Sequence, residues 1–255
     1  MRILLSNDDG IHAAGISAMY QAIRDLGDVH VVAPEAERSA VGHAITLSNP
    51  LKTKRVSKNG EFFGYAVDGM PADCVKLAVT ALLDQPPDLV LSGINLGPNA
   101  GINVLYSGTV SAATEGTILG IPSMAVSLAT FQDPLWDTAA RVAREFTLRI
   151  LEQNIPKDTL LNVNVPNIPY DQLKGVRVTR MGRSRFVEVF HRRTDPRGNE
   201  YYWLDGEMKQ FDDEPDSDLR VLEEGYVSIT PLWFDLTHES ALPRLKEWAA
   251  AFEKK

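Results

Sequence analysis

The chain has a single cysteine, Cys74, in 255 residues. One thiol excludes an internal disulfide framework and a thiolate metal cluster, and it fits a reducing compartment, with the cytoplasm as the default. Histidine is also scarce, at five residues, and no Cys/His cluster points to zinc. Lys and Arg number 26 against 34 Asp and Glu, for a formal net charge of −8. No long-range field therefore draws in a polyanion, which argues against stable nucleic-acid binding, and any phosphate must be captured locally. Long apolar runs are missing too. The N-terminal one ends at Leu5 before Ser6, Asn7, Asp8 and Asp9, far too short for a leader peptide, and nothing later is long enough to cross a membrane.

What is present is ordinary globular composition, 44% apolar and 24% charged, on a length that suits one large domain or two small ones. The first half alternates two periodicities. Ile3–Leu5, Val29–Ala33, Leu89–Leu91 and Ile121–Leu128 read as buried strands. Gly15–Leu26, a segment opening at Pro71, Thr109–Leu119 and a long segment after Asp133 and Pro134 read as helices. Strands alternating with helices imply right-handed βαβ units. The expected fold is α/β: a Rossmann-like three-layer sandwich with a mostly parallel sheet, plus a C-terminal β-hairpin and helix arm for oligomerisation. A single domain spans 1–255, with a core at about 1–170 and an arm-bearing part at about 171–255. Arginines and aromatics interleave from Val176 to Trp203, followed by the acidic run Asp212, Asp213, Glu214, Asp216 and Asp218. That mixture suits a protein interface better than a polyanion.

Sheets of this kind bind ligands beyond the carboxyl ends of their strands, so the loops after Leu5, Ala33 and Leu91 and the segment before Thr109 should converge. Asp8 and Asp9 are neighbours, and they can share a site only where the chain has left the strand, as Gly10 allows. Two carboxylates about 5 Å apart repel by roughly 3 kcal/mol at an effective dielectric of ~20, and a divalent cation removes that cost. The plain alternative is a helix cap or a solvated turn. Ser39 and Asn95 would add neutral oxygens, completing a shell suited to Mg²⁺, Mn²⁺ or Ca²⁺. His43 reads as a loop residue and is left out of the set. Ser107-Gly108-Thr109 opens a helix with a hydroxyl cap and a glycine, an arrangement that holds anions. Gly116, inside that helix, hints at tight packing.

Leu5-Ser6-Asn7-Asp8-Asp9-Gly10-Ile11, Ala33-Pro34 with Arg38-Ser39, Ser92-Gly93-Ile94-Asn95-Leu96-Gly97 and Tyr106-Ser107-Gly108-Thr109-Val110 together resemble the SurE family of stationary-phase survival nucleotidases. Asp195-Pro196-Arg197-Gly198, Tyr201-Tyr202-Trp203 and Gly225-Tyr226-Val227-Ser228-Ile229-Thr230-Pro231-Leu232 extend the likeness over nearly the whole chain. The resemblance implies a metal-dependent phosphomonoesterase, a 5′-nucleotidase, acting on nucleoside monophosphates. It also implies one divalent cation per subunit and a homodimer or tetramer joined by C-terminal arms. Asp8, Asp9, Ser39 and Asn95 match the metal ligands, with Asp8 and Asp9 the catalytic pair. Asn95, Ser107, Gly108 and Thr109 match the substrate side.

Three rivals stand beside this reading. A receiver-like domain would use Asp68 as a phosphoacceptor, but the chain is too long for that module. A dinucleotide binder would need Gly-x-Gly-x-x-Gly after the first strand, and Gly10 and Gly15 are wrongly spaced. In a noncatalytic interaction protein the arm alone would matter. Base preference and the 5′ or 3′ position of the phosphate depend on pocket shape, which periodicity does not carry.

Overall fold

Apolar runs that are buried on both faces make the centre of the sheet. In the computed structural model, which describes residues 1–153, 158–212 and 214–252, β1 (Arg2–Ser6) and β5 (Leu89–Leu96) lie side by side and parallel. Outward from β1 come β2 (Asp28–Pro34), β4 (Glu61–Val67) and β3 (Thr53–Lys58). Outward from β5 come β6 (Ser123–Ala129), β7 (Leu160–Pro166), β11 (Val227–Leu232) and β8 (Val176–Val178), giving nine strands in all. Within this sheet β3 runs antiparallel to β4, and β11 antiparallel to β7; every other pairing is parallel.

Helices pack on both faces of the sheet. Ile16, Met19 and Ile23 of α1 (Ala14–Ile23) share a core with Ala139, Val142 and Ala143 of α4 (Trp136–Glu152). On the other face α2 (Pro71–Leu77) packs against α3 (Gly108–Ile118). Gly116 is explained by contact: a Cβ there would lie 2.4 Å from Ser123 Oγ and 2.8 Å from Val90. The expected three-layer sandwich is present.

Several boundaries differ from expectation. Helix α1 stops at Ile23, because the chain turns through Leu26 N–H to Ile23 O before entering β2. Asp133 does not cap α4; it adopts a left-handed φ of 46°, and Leu135 takes the cap position with its N–H on Asn167 Oδ1. Strands β3 and β7 were not anticipated. The C-terminal part also divides, since β8, β11 and the intervening α5 (Asp218–Glu223) complete the main sheet. The antiparallel hairpin of β9 (Arg185–Thr194) and β10 (Glu200–Lys209) forms a separate two-stranded sheet. The final helix, α6 (Leu242–Phe252), buries no residue. Asp213 of the acidic run lies outside the described residues. Among its neighbours, Asp216 pairs with Arg180 at 3.0 Å. No described helix is long and apolar enough to cross a membrane.

Candidate active site

Because β2 and β5 flank β1 on opposite sides, the chain reverses its strand order at β1, the place where open α/β sheets form their crevice. Asp8 and Asp9 follow β1 directly. The Asn7 side chain holds their turn by donating Nδ2–H to Gly10 O at 3.0 Å, and Gly10 takes a φ of 97°. Ser39 comes from the loop after β2, which is tied to the aspartates by Arg38 N–H to Asp8 O at 2.7 Å. Asn95 lies at the end of β5, just past a register shift against β6 that skips Ile94, and such irregularities re-aim side chains next to sites. Its Nδ2 donates to Gly97 O at 2.7 Å, leaving Oδ1 as the open acceptor.

These loops do converge. Asp8, Ser39, Asn95 and Ser107 line one cavity of about 1050 Å³. Asp9 adjoins Asp8 in the same turn, its carboxylate beside the Leu96 N–H at the end of β5. Ser107 caps α3 by accepting Val110 N–H on its Oγ at 3.1 Å. Thr109 departs from the expected substrate contact in its side chain: its Oγ1–H donates to Asp8 Oδ1. The groups offered to a phosphate oxygen at this helix start are the Ser107 hydroxyl proton and main-chain N–H groups such as that of Gly108.

Burial pushes the Asp8 carboxyl up, against the pull of the Thr109 bonds. Burial first, then the Asp8 charge, pushes Asp9 up to about 6. One buried and one half-buried carboxylate with elevated pKa values, backed by neutral Ser and Asn oxygens, fit a hard divalent cation, whose charge would reverse both shifts.

Gly108 is indispensable to this packing. A Cβ there would lie 2.7 Å from Asp8 Cβ, 3.0 Å from Asp8 Oδ2 and 3.1 Å from Arg38 O. Gly108→Ala is expected to cost about 1–3 kcal/mol of stability through overpacking. Displacing Asp8 should also lower phosphatase kcat/KM by roughly 100-fold. Chemical denaturation beside initial-rate kinetics checks both figures.

His43 lies outside the ligand set. Its Nε2 is 2.9 Å from Glu115 Oε2, and Lys76 Nζ reaches Glu115 Oε1 at 2.7 Å. Burial raises the Glu115 carboxyl, but these two partners outweigh it and hold the group below the ordinary carboxylate range. The result ties the Ser39 loop to α2 and α3. Asp68 is well exposed, pairs with Arg38 at 3.3 Å and does not line the cavity, which removes the geometric basis of a phosphoacceptor role.

Two further groups shape the site. Asn99 donates N–H to Asn164 Oδ1 at 2.8 Å and Nδ2–H to Ser127 Oγ at 2.9 Å. Its carbonyl accepts from Asn162 Nδ2 at 2.8 Å and Asn164 Nδ2 at 3.0 Å. Asp218 is fully buried and accepts N–H groups from Gly101 at 2.8 Å, Gly182 at 3.1 Å and Leu219 at 2.9 Å. The Asn/Val alternation of Leu161-Asn162-Val163-Asn164-Val165 was the available signal for the first. Nothing in the acidic run singles out Asp218.

The family model described as Survival protein SurE matches residues 3–188. A 5′-nucleotidase SurE of Syntrophobacter fumaroxidans is 50% identical over 248 residues, covering 97% of this chain and 99% of that one. One from Syntrophus aciditrophicus is 53% identical over 247 residues, covering 96% and 93%. The crystal structure of the SurE protein from Aquifex aeolicus superposes with a TM-score of 0.85 at 43% identity, over 98% of this chain and 100% of that chain. Loop convergence, a carboxylate pair backed on a helix start and likeness along the full length lead to one assignment: this chain belongs to the SurE family.

Proposed function

We propose that this protein is a metal-dependent phosphomonoesterase that hydrolyses nucleoside monophosphates to nucleoside and phosphate. The observation that carries the reading is the placement of Asp8 and Asp9 at the β1 crevice against the start of α3, where anion-binding donors face a cation-binding pair. The curated relatives named as 5′-nucleotidases support the substrate class. Asp8, Asp9, Ser39 and Asn95 would hold one divalent cation, Mg²⁺ or Mn²⁺, with Ca²⁺ an alternative occupant; bound there it supplies Lewis acidity and neutralises phosphate charge.

The chain's own groups do the rest. Ser107 O–H and Gly108 N–H grip a phosphate oxygen at the positive end of α3. Thr109 orients Asp8. A water attacks phosphorus in line with the ester oxygen and gives up a proton, the P–O ester bond breaks, and the departing nucleoside oxygen takes up a proton from solvent, leaving nucleoside and phosphate. Asp9 is the freer carboxylate to accept the proton of the water, because Asp8 is buried and already takes the Thr109 hydroxyl.

We further read the exposed aromatics of the hairpin, Phe190, Tyr201, Tyr202 and Trp203, and the unburied α6 as surfaces of a homodimer or tetramer. The buried Cys74 thiol fits the cytoplasm. Phosphate release from a nucleotide panel tests the enzymatic reading: EDTA should abolish it, and added Mn²⁺ or Mg²⁺ should restore it. Release that ignores the chelator, or no release from any nucleotide, overturns it.

A further inference from the structure

Three of the four groups placed around the cation position have a partner that holds them. Asp8 Oδ1 takes the Thr109 hydroxyl, the Asp9 carboxylate lies beside the Leu96 N–H, and Asn95 commits its Nδ2–H to Gly97 O. The fourth, Ser39, is held by a carboxylate two residues earlier. Its Oγ–H donates to Glu37 Oε1 at 2.7 Å.

Serine is the ligand that most needs such a partner. A hydroxyl carries one proton and two lone pairs on a freely turning bond. Only with the proton aimed away does its oxygen offer electrons to a cation. Ser39 is exposed, so packing does not fix that rotation. The main chain is set from both sides, by Arg38 N–H to Asp8 O at 2.7 Å and by Gly42 N–H to Tyr106 O at 2.9 Å. Left-handed φ values of 56° at Ala40 and 58° at Gly42 turn the loop between these ties. They decide where Ser39 stands and leave its hydroxyl to Glu37. Glu37 in turn sits against the carboxylate turn, since a Cβ on Gly10 would lie 3.4 Å from Glu37 N. Burial first raises the Asp8 and Asp9 carboxyls, and the nearby Glu37 charge adds to the rise in both.

We infer that Glu37 is a positioning residue of the cation site, taking the Ser39 proton and so turning the Ser39 oxygen toward the metal. The inference rests on the metal-dependent reading above. Metal centres are generally built this way: a carboxylate behind a ligand sets its orientation, and losing that carboxylate costs about 10–100-fold in metal affinity or activity. Orientation and charge are separable here, because glutamine keeps the acceptor and drops the charge.

The test is Mn²⁺ binding to the metal-free protein, read from the electron paramagnetic resonance signal of the free ion and therefore independent of turnover. Glu37→Ala should weaken Mn²⁺ binding about tenfold. Glu37→Gln, whose amide oxygen still accepts the Ser39 proton, should stay within about threefold of the parent. Ser39→Ala should lose at least as much as Glu37→Ala. Adding Glu37→Ala to Ser39→Ala should change little more, because a residue that acts through Ser39 then has nothing to orient. In EDTA every variant should melt within about 2 °C of the parent, since both side chains are exposed. The positioning role alone is overturned by a Glu37→Ala protein that binds Mn²⁺ like the parent or melts lower in EDTA. Losses that add in the double variant, or a Glu37→Gln protein as weak as Glu37→Ala, overturn it equally. A parent that binds no Mn²⁺ overturns the metal reading and the inference with it. A parent that binds Mn²⁺ but releases no phosphate from nucleotides overturns the nucleotidase reading, and the Mn²⁺ affinities still decide Glu37.

Discussion

Asp9→Asn is expected to lose about 10³-fold or more in nucleotide hydrolysis and, with EDTA present, to melt at a higher temperature than the parent. The two effects have one cause. Burial and the Asp8 charge push the Asp9 carboxyl up to about 6, so at neutral pH the metal-free fold carries an ionised group that it disfavours. The shift of roughly two units converts to about 3 kcal/mol, and partial solvent contact reduces this to on the order of 2 kcal/mol. For a chain of this size that is about 4–8 °C in Tm. Asparagine removes the charge and keeps an acceptor for the Leu96 N–H, but it is a poorer cation ligand and a poorer base.

The pH dependence follows from the sign of the shift. A folded pKa raised above the unfolded value of about 3.9 favours the protonated form. That stabilisation is fully present at lower pH and is lost as pH rises through about 6. The thermal advantage of Asp9→Asn over the parent should therefore open between about pH 4 and 6 and level off above. Calorimetry in EDTA across that range, beside kinetics in Mn²⁺, checks both arms. Hydrolysis within tenfold of the parent removes Asp9 from the reaction, and a variant no more stable in EDTA removes the electrostatic account.

The second large effect belongs to Asp218. Replacing it with alanine leaves the Gly101, Gly182 and Leu219 N–H groups without their acceptor. At about 1–3 kcal/mol per orphaned buried donor the gross loss exceeds 3 kcal/mol. Removing a carboxylate whose pKa burial has raised offsets part of it. The net expectation is about 3 kcal/mol and a fall in Tm of about 6–12 °C, a large share of the stability of an ordinary domain. An Asp218→Ala protein that melts within 2 °C of the parent rejects the staple.

The parts of this fold that were legible in sequence are those whose signal is local. Ile3–Leu5 and Leu89–Leu91 announce parallel strands because both faces are buried and no polar alternation interrupts them. The meeting of Asp8, Ser39, Asn95 and Ser107 at one cavity was legible because topology sends the ends of β1, β2 and β5 to one crevice. What sequence did not show was pairing at a distance. Thr109 reads as a phosphate contact in sequence, and only the packing of Gly108 against Asp8 commits its hydroxyl to the carboxylate. Glu115 looked like an ordinary helix position until His43 and Lys76 met it from elements 72 and 39 residues away, as 115 − 43 and 115 − 76 give. Strand β7 carries two asparagines within an apolar run, and only the fold shows them to be partners of Asn99.

The four amide contacts at Asn99 hold the segment between Asn95 and Gly101 by its main chain as well as its side chain. The reach of this segment is consequently set by residue count. An insertion or deletion between 96 and 99 would part Asn99 from β6 and β7 or drag Asn95 out of the crevice, whereas exchanges of side chain at Pro98 or Ala100 would leave the spacing untouched. Natural variation here should run through substitutions at constant length, and a transplanted loop should work only when its length is conserved to the residue.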